Sequence, residues 1–148
     1  MLSIRNSPEV SSHGSYKIWV VLAVLLFSQW AEPLWAAERS VRIVQPQNNA
    51  KVTNPVKVCM ELRGLKLQKA KEGVQEGKGH HHILMNSLPI DLSQPIQKGE
   101  IHMGDASNCR ELTLKPGLNI IYAVFAYGNH VPYDPPITDK IIVTVLED

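Results

Sequence analysis

Tryptophan is missing from most of this chain. All three tryptophans of the 148 residues, Trp19, Trp30 and Trp35, stand near the start, and none follows. A buried tryptophan packed on an inter-sheet disulfide, the mark of antibody-type domains, is thereby excluded from the body of the protein. An excess of charge of one sign is lacking too. Fifteen Lys and Arg face fourteen Asp and Glu, for a formal net charge of +1. That balance gives no electrostatic reason to expect nucleic acid or an acidic membrane surface as partner. No long stretch shows helical periodicity and no repeat is visible, which sets aside bundles and solenoids. There is no GxSxG, no HExxH and no phosphate-cradling glycine loop, and Ser87, Ser93 and Ser107 have no motif around them.

The first residues carry the tryptophans for a reason of their own. Arg5 and Lys17 give a positive start, residues 18–27 are an almost unbroken apolar run, and Ala36 and Ala37 follow. This is the layout of a secretory signal peptide over residues 1–37. Cleavage falls after Ala36 or Ala37, with Leu34 or Trp35 at the minus-three position. The run is short of the roughly 20 residues a membrane helix needs, so an uncleaved anchor is the lesser alternative. No membrane insertion is expected after cleavage. No cysteine lies nearby for a lipid anchor. Residues 38–148 remain as one domain of about 110 residues, with thirteen basic and twelve acidic side chains.

Cysteine is nearly as scarce, with Cys59 and Cys109 alone. In an oxidising compartment an even count points to a disulfide, and a loop of this length would stabilise by very roughly 3–4 kcal/mol. A soft metal pair is the alternative, but neither cysteine has a CxxC neighbour. Residues 56–62 alternate so that Val56, Val58, Met60 and Leu62 face the core and Cys59 sides with Lys57 and Glu61. The disulfide must therefore reach a neighbouring strand or a covering loop.

What the chain does have is β pattern. Residues 41–44, 56–62, 83–85, 101–103, 109–114, 118–127 and 141–146 read as strands, separated by turn chemistry at residues 46–49, 54–55 and 115–117. Residues 64–79 are rich in Lys and Glu and read as a solvated loop, with a helical turn as the alternative. Residues 88–96 form an irregular connection, and Tyr133, Asp134, Pro135 and Pro136 a stiff loop. About seven short strands predict an all-β, immunoglobulin-like sandwich, with a small barrel as the alternative. Phe125 and Tyr127 share a face opposite Tyr122 and Val124. Either a loop covers them or they form a patch for another periplasmic protein.

The chain also has histidines in unusual company. His80, His81 and His82 lie between glycines and the apolar Ile83, Leu84 and Met85. On a strand, His80 and His82 share one face and His81 takes the other. His102 and His130 stand in Ile101-His102-Met103-Gly104 and Gly128-Asn129-His130-Val131-Pro132. Neutral imidazoles from several strands suit copper or zinc. The candidate ligands are His80, His82, His102 and His130. His81, Asp134, Asp105, Met85 and Met103 are candidates for a supporting shell or an added ligand, and Tyr133 for a wall of the pocket. Met85 shares parity with His81, and Met103 opposes His102, so a mostly imidazole site is favoured over a thioether-rich one. The competing reading is a non-enzymatic structural or interaction module whose histidines bond backbone groups. A metalloenzyme is a third, without a motif to support it.

Four stretches together resemble a known family. They are Gly79-His80-His81-His82-Ile83-Leu84, Ile101-His102-Met103-Gly104, Leu112-Thr113-Leu114-Lys115-Pro116-Gly117 and His130-Val131-Pro132-Tyr133-Asp134-Pro135-Pro136. The pattern is similar to a family of small secreted bacterial domains of unknown function, found mostly in Gram-negative bacteria. The resemblance implies a periplasmic, immunoglobulin-like domain with His80, His81, His82, His102 and His130 as its histidine set. Where some members carry further histidines, this chain has Glu100 and Tyr133. The family brings no activity with it.

Overall fold

Alternation of apolar and polar side chains lays down two sheets, and the computed structural model describes them over residues 38–89, 91–97 and 101–147. Residues 1–37, expected to be a signal peptide, lie outside the described residues. In chain order the strands are β1 (Ser40–Gln45), β2 (Ala50–Val52), β3 (Val56–Arg63), β4 (Lys66–Leu67), β5 (Lys78–Met85), β6 (Ile101–Met103), β7 (Cys109–Leu112), β8 (Gly117–Ala126) and β9 (Pro132–Val145). One sheet has the order β1-β3-β7. The other runs β2-β9-β8-β5-β4, with β6 also paired to β5. The result is an all-β, sandwich-like fold.

Val41, Ile43, Val56, Val58 and Met60 of the smaller sheet pack against Ile83, Ile121, Ala123, Phe125, Ile141 and Val143 of the larger one. The side chain of Asp139 ties the two sheets, its Oδ2 accepting the Ile43 N–H at 2.7 Å. Cys59 and Cys109 are directly opposed in the β3–β7 register and form a disulfide. The bond thus joins neighbouring strands of one sheet, as the parity of Cys59 requires, and does not cross the core.

The larger sheet is covered on both faces around β5, whose six central residues, from Gly79 to Leu84, are all buried. Inward-facing Ile83 joins the main core. Outward-facing Leu84 joins Val124, Ala126 and Ile96 in a second cluster, with Leu88 and Tyr122 packed against it. The connection after β5 therefore covers the Tyr122 and Val124 side. Phe125 is fully buried in the main core and offers no patch to a partner.

Residues 132–136 are not a free loop. They belong to β9, but the ladder jumps from Phe125↔Ile137 to Ala126↔Pro132, which leaves residues 133–136 as a bulge. Proline removes a ladder donor, so Pro135 and Pro136 fall where the pairing is interrupted. Tyr133 turns into the core, stacks on Tyr127 at 3.9 Å between ring centroids, and donates its hydroxyl to the Lys78 carbonyl at 2.9 Å.

Residues 64–79 are also more ordered than their charge implies. They contain β4, paired in parallel with β5, and a 3-10 turn at Ala70–Glu72. No helix among the described residues is long and apolar enough to cross a membrane.

Candidate metal centre

Strand parity puts His80 and His82 together on the outer face of β5, both essentially without solvent exposure. Strand β6 brings the third ring, because His102 lies directly opposite His82 in the register. The fourth comes from the turn joining β8 to β9. There the Tyr127 carbonyl accepts from His130 N–H at 2.8 Å, and Tyr127 N–H donates to the Val131 carbonyl at 3.0 Å. His130 has φ +68°. That is the left-handed position of a three-residue hairpin loop, which favours glycine. Its carbonyl is fixed as well, accepting Ile96 N–H at 2.9 Å. A bulky residue held there costs of order 1 kcal/mol, and such positions gather at functional sites.

The four rings form one cluster. All six centroid separations lie between 4.7 and 5.4 Å. One nitrogen from each of the four lies within 4.8 Å of the others. Tetrahedral ligation with bonds of 2.0–2.1 Å needs nitrogens about 3.3 Å apart, so side-chain rotations complete the approach. His80 Nε2 and His82 Nε2 are already 3.0 Å apart and share one hydrogen bond, whose direction depends on the tautomers. The Nδ1 atoms of both rings are buried with no partner among the described residues. His102 is exposed and His130 half-buried, so the cluster opens to solvent on their side.

Electrostatics keep the inner rings neutral. Burial, and then the neighbouring His102 and His130, push the His80 imidazole down to about 4. Burial, then His80, His102 and His130, take His82 to about 3. His102 is lowered as well, by burial and His130, with the Asp105 carboxylate opposing. His80 and His82 are therefore neutral at pH 7, the form that ligates a metal, and ligation through both Nε2 atoms would replace the hydrogen bond between them.

Three contacts hold this geometry, and the charged composition of residues 64–79 hid them. Ala70 N–H donates to the Gly104 carbonyl at 3.0 Å, and Gln68 N–H to the Gly79 carbonyl at 2.6 Å. A Cβ on Gly128 would collide with the Gly73 carbonyl. The turn Ala70–Glu72 is thus wedged between the segments that carry His102 and His130. The hint in the sequence is a glycine within two residues of His80, His102 and His130, namely Gly79, Gly104 and Gly128.

Gly104 itself is pressed by the His102 ring, whose Cε1 and Nε2 would overlap any Cβ there, while Ala70 Cβ stands at 3.1 Å. Replacing Gly104 with Ala is expected to turn the His102 ring away. A metal held by the four rings would then bind roughly 10–100-fold more weakly, as for other lost supporting contacts. A competition titration checks this.

The structure corrects the supporting shell. Asp134 is exposed on the β9 bulge, and its carboxylate is not in the cluster. Asp105 is also outside it, holding Ser107 through Oδ1 and Arg110 through Oδ2. Its reach to His102 is electrostatic only. His81 points into the main core, with Met103 directly opposite in register, and Met85 shares that inner side. None of the three belongs to the outer cluster. Tyr133 is in the core and walls nothing here.

Residues 58–146 match the family described as "Domain of unknown function (DUF4399)", a span that includes all four clustered histidines and both cysteines. No curated protein matches. Among solved structures, the X-ray structure of the endo-beta-1,4-mannanase from Thermotoga petrophila is similar, with 11% identity and a TM-score of 0.44. The likeness covers 84% of this chain and 22% of that one. At that level it carries no argument about this protein.

Proposed function

The chain belongs to the DUF4399 family of domains of unknown function, and from the site it carries we propose that it binds one transition-metal ion through His80, His82, His102 and His130. The observation that supports this most strongly is the convergence of four imidazoles, from β5, β6 and the β8–β9 turn, within 4.8 Å of one another. An all-nitrogen donor set suits copper first and zinc second. Histidines kept only for stability would spend their ring nitrogens on backbone groups, whereas here the Nδ1 atoms of His80 and His82 have no partner among the described residues.

The role in this reading is carriage, storage or sensing of the ion, without turnover. The location is the periplasm of a Gram-negative bacterium. A signal-like leader and a disulfide supported by the register of adjacent strands both suit an oxidising compartment.

The test is a zinc and copper titration of the full-length protein beside His130→Asn. Asparagine tolerates the left-handed backbone, so this variant is expected to match or exceed the parent in stability. The parent should take up one equivalent with submicromolar affinity, and the variant should bind at least tenfold more weakly. Equal affinity in the two proteins would remove His130 from the site, and no uptake by the parent would overturn the reading.

A further inference from the structure

His81 is the one histidine of the triplet that the outer cluster does not use. It has no solvent exposure, yet neither Nδ1 nor Nε2 has a hydrogen-bond partner among the described residues. A neutral imidazole always presents one N–H and one lone pair. Leaving both unmet in a core is costly, and each such group in a native fold calls for an explanation.

Its surroundings are specific. Met103, also without exposure, is directly across the β5–β6 register on the same face. Met60, 1% exposed, comes from the opposite sheet. His81 and Met60 lie at the floor of one cleft of about 400 Å³ that is open to solvent, lined also by Leu62, Leu65 and Leu67. Glu61, Lys66 and Asn108 form the polar rim of the same cleft. The Phe125 ring packs beside His81, 5.5 Å away between centroids in an edge-on arrangement.

We infer that His81, Met103 and Met60 form a second, internal site for a soft monovalent cation of the copper(I) class, distinct from the outer imidazole cluster. All three donors are neutral, and the two thioethers are soft ligands of the kind that select copper(I) over harder divalent ions, with imidazole a ligand copper also accepts. A single positive charge is also the least costly one to bury in an apolar core. Methionine's flexible thioether lets the two sulfurs adapt to the ion. The site does not rest on the outer cluster. His81 and Met103 face the inner side of their sheet, towards Met60 on the opposite sheet, whereas the outer cluster lies on the other face.

The test is copper(I) binding by the full-length protein without oxygen, against a chromophoric chelator, with X-ray absorption of the bound copper. Met103→Leu is the paired variant, because a Leu–Met exchange preserves core volume. The parent should bind two equivalents, with sulfur scatterers in its copper spectrum. Met103→Leu should keep its circular dichroism and its zinc binding, lose one equivalent of copper(I), and lose sulfur scattering. One equivalent with sulfur scattering would support the internal site and remove copper(I) from the outer one. Purely nitrogen-ligated copper in the parent, unchanged stoichiometry in Met103→Leu, or no copper(I) uptake would each overturn the proposal.

Discussion

The metal-free protein is expected to lose most of its stability as pH falls from about 6.5 towards 4. His80 and His81 are held down to about 4 and His82 to about 3 in the folded chain, from an ordinary 6.5. Burial is the first cause for all three. Each is a base with a depressed folded value, so below pH 6.5 the unfolded chain binds more protons than the folded one. Their neutral burial costs nothing extra above pH 6.5, and the folded state is penalised progressively as pH falls towards the folded values. At about 1.4 kcal/mol per pKa unit, His81 alone accounts for roughly 3 kcal/mol. His80 and His82 add to it as a coupled pair. A domain of this size has only about 5–15 kcal/mol in total, so acid unfolding should be centred at about pH 4–5. Circular dichroism across pH 3–8 with the metal removed checks this. A saturating metal should move the transition to lower pH, because it binds only the deprotonated rings of the folded form. Stability unchanged down to pH 4 would mean that the triplet is hydrated in solution.

Replacing Gly79 with Ala is expected to cost about 3 kcal/mol, at the upper end for overpacking, and to weaken metal binding at the same time. A Cβ on Gly79 would overlap the Ala126 carbonyl, with Phe125 Cε1 at 3.1 Å behind it. A backbone oxygen at the end of β8 cannot rotate aside as a flexible side chain can. The displacement would fall on the turn that begins at Tyr127 and holds His130. Two independent readouts should therefore move together: the denaturant midpoint, and the zinc affinity under conditions where the variant is folded. Loss of stability with full affinity would show that the His130 turn is independent of the end of β8.

The strands were legible wherever one face is buried and the other wet. In β3, Lys57 and Glu61 stay exposed while Val56, Val58 and Met60 are buried, so the period of two shows directly. The same parity separated His80 and His82 from His81, and the register confirms it. Position in three dimensions was less legible. Asp134 stands four residues after His130 and looked like a neighbour, but the bulge in β9 carries it outward. Tyr133 looked like a pocket wall because the prolines suggested a loop. The bulge instead keeps those residues in the strand and turns the ring inward. The brace at residues 66–73 was hidden because it works through backbone groups. Ala70 N–H and the Gly73 carbonyl bear on the site whatever charges surround them, and lysine-rich composition reports only on side chains. His81 marks the other limit, since a buried histidine with no partner cannot be told from a solvated one by spacing alone.

The measurement that bears most directly on the four-histidine centre is a zinc titration of the full-length protein at pH 7, followed by nuclear magnetic resonance of the histidine ring nitrogens. The expected result is that His80, His82, His102 and His130 shift together and stop shifting at one equivalent, while His81 stays in place. Rings that do not respond, or zinc taken up with only one or two of the four moving, would contradict a single centre built from all four.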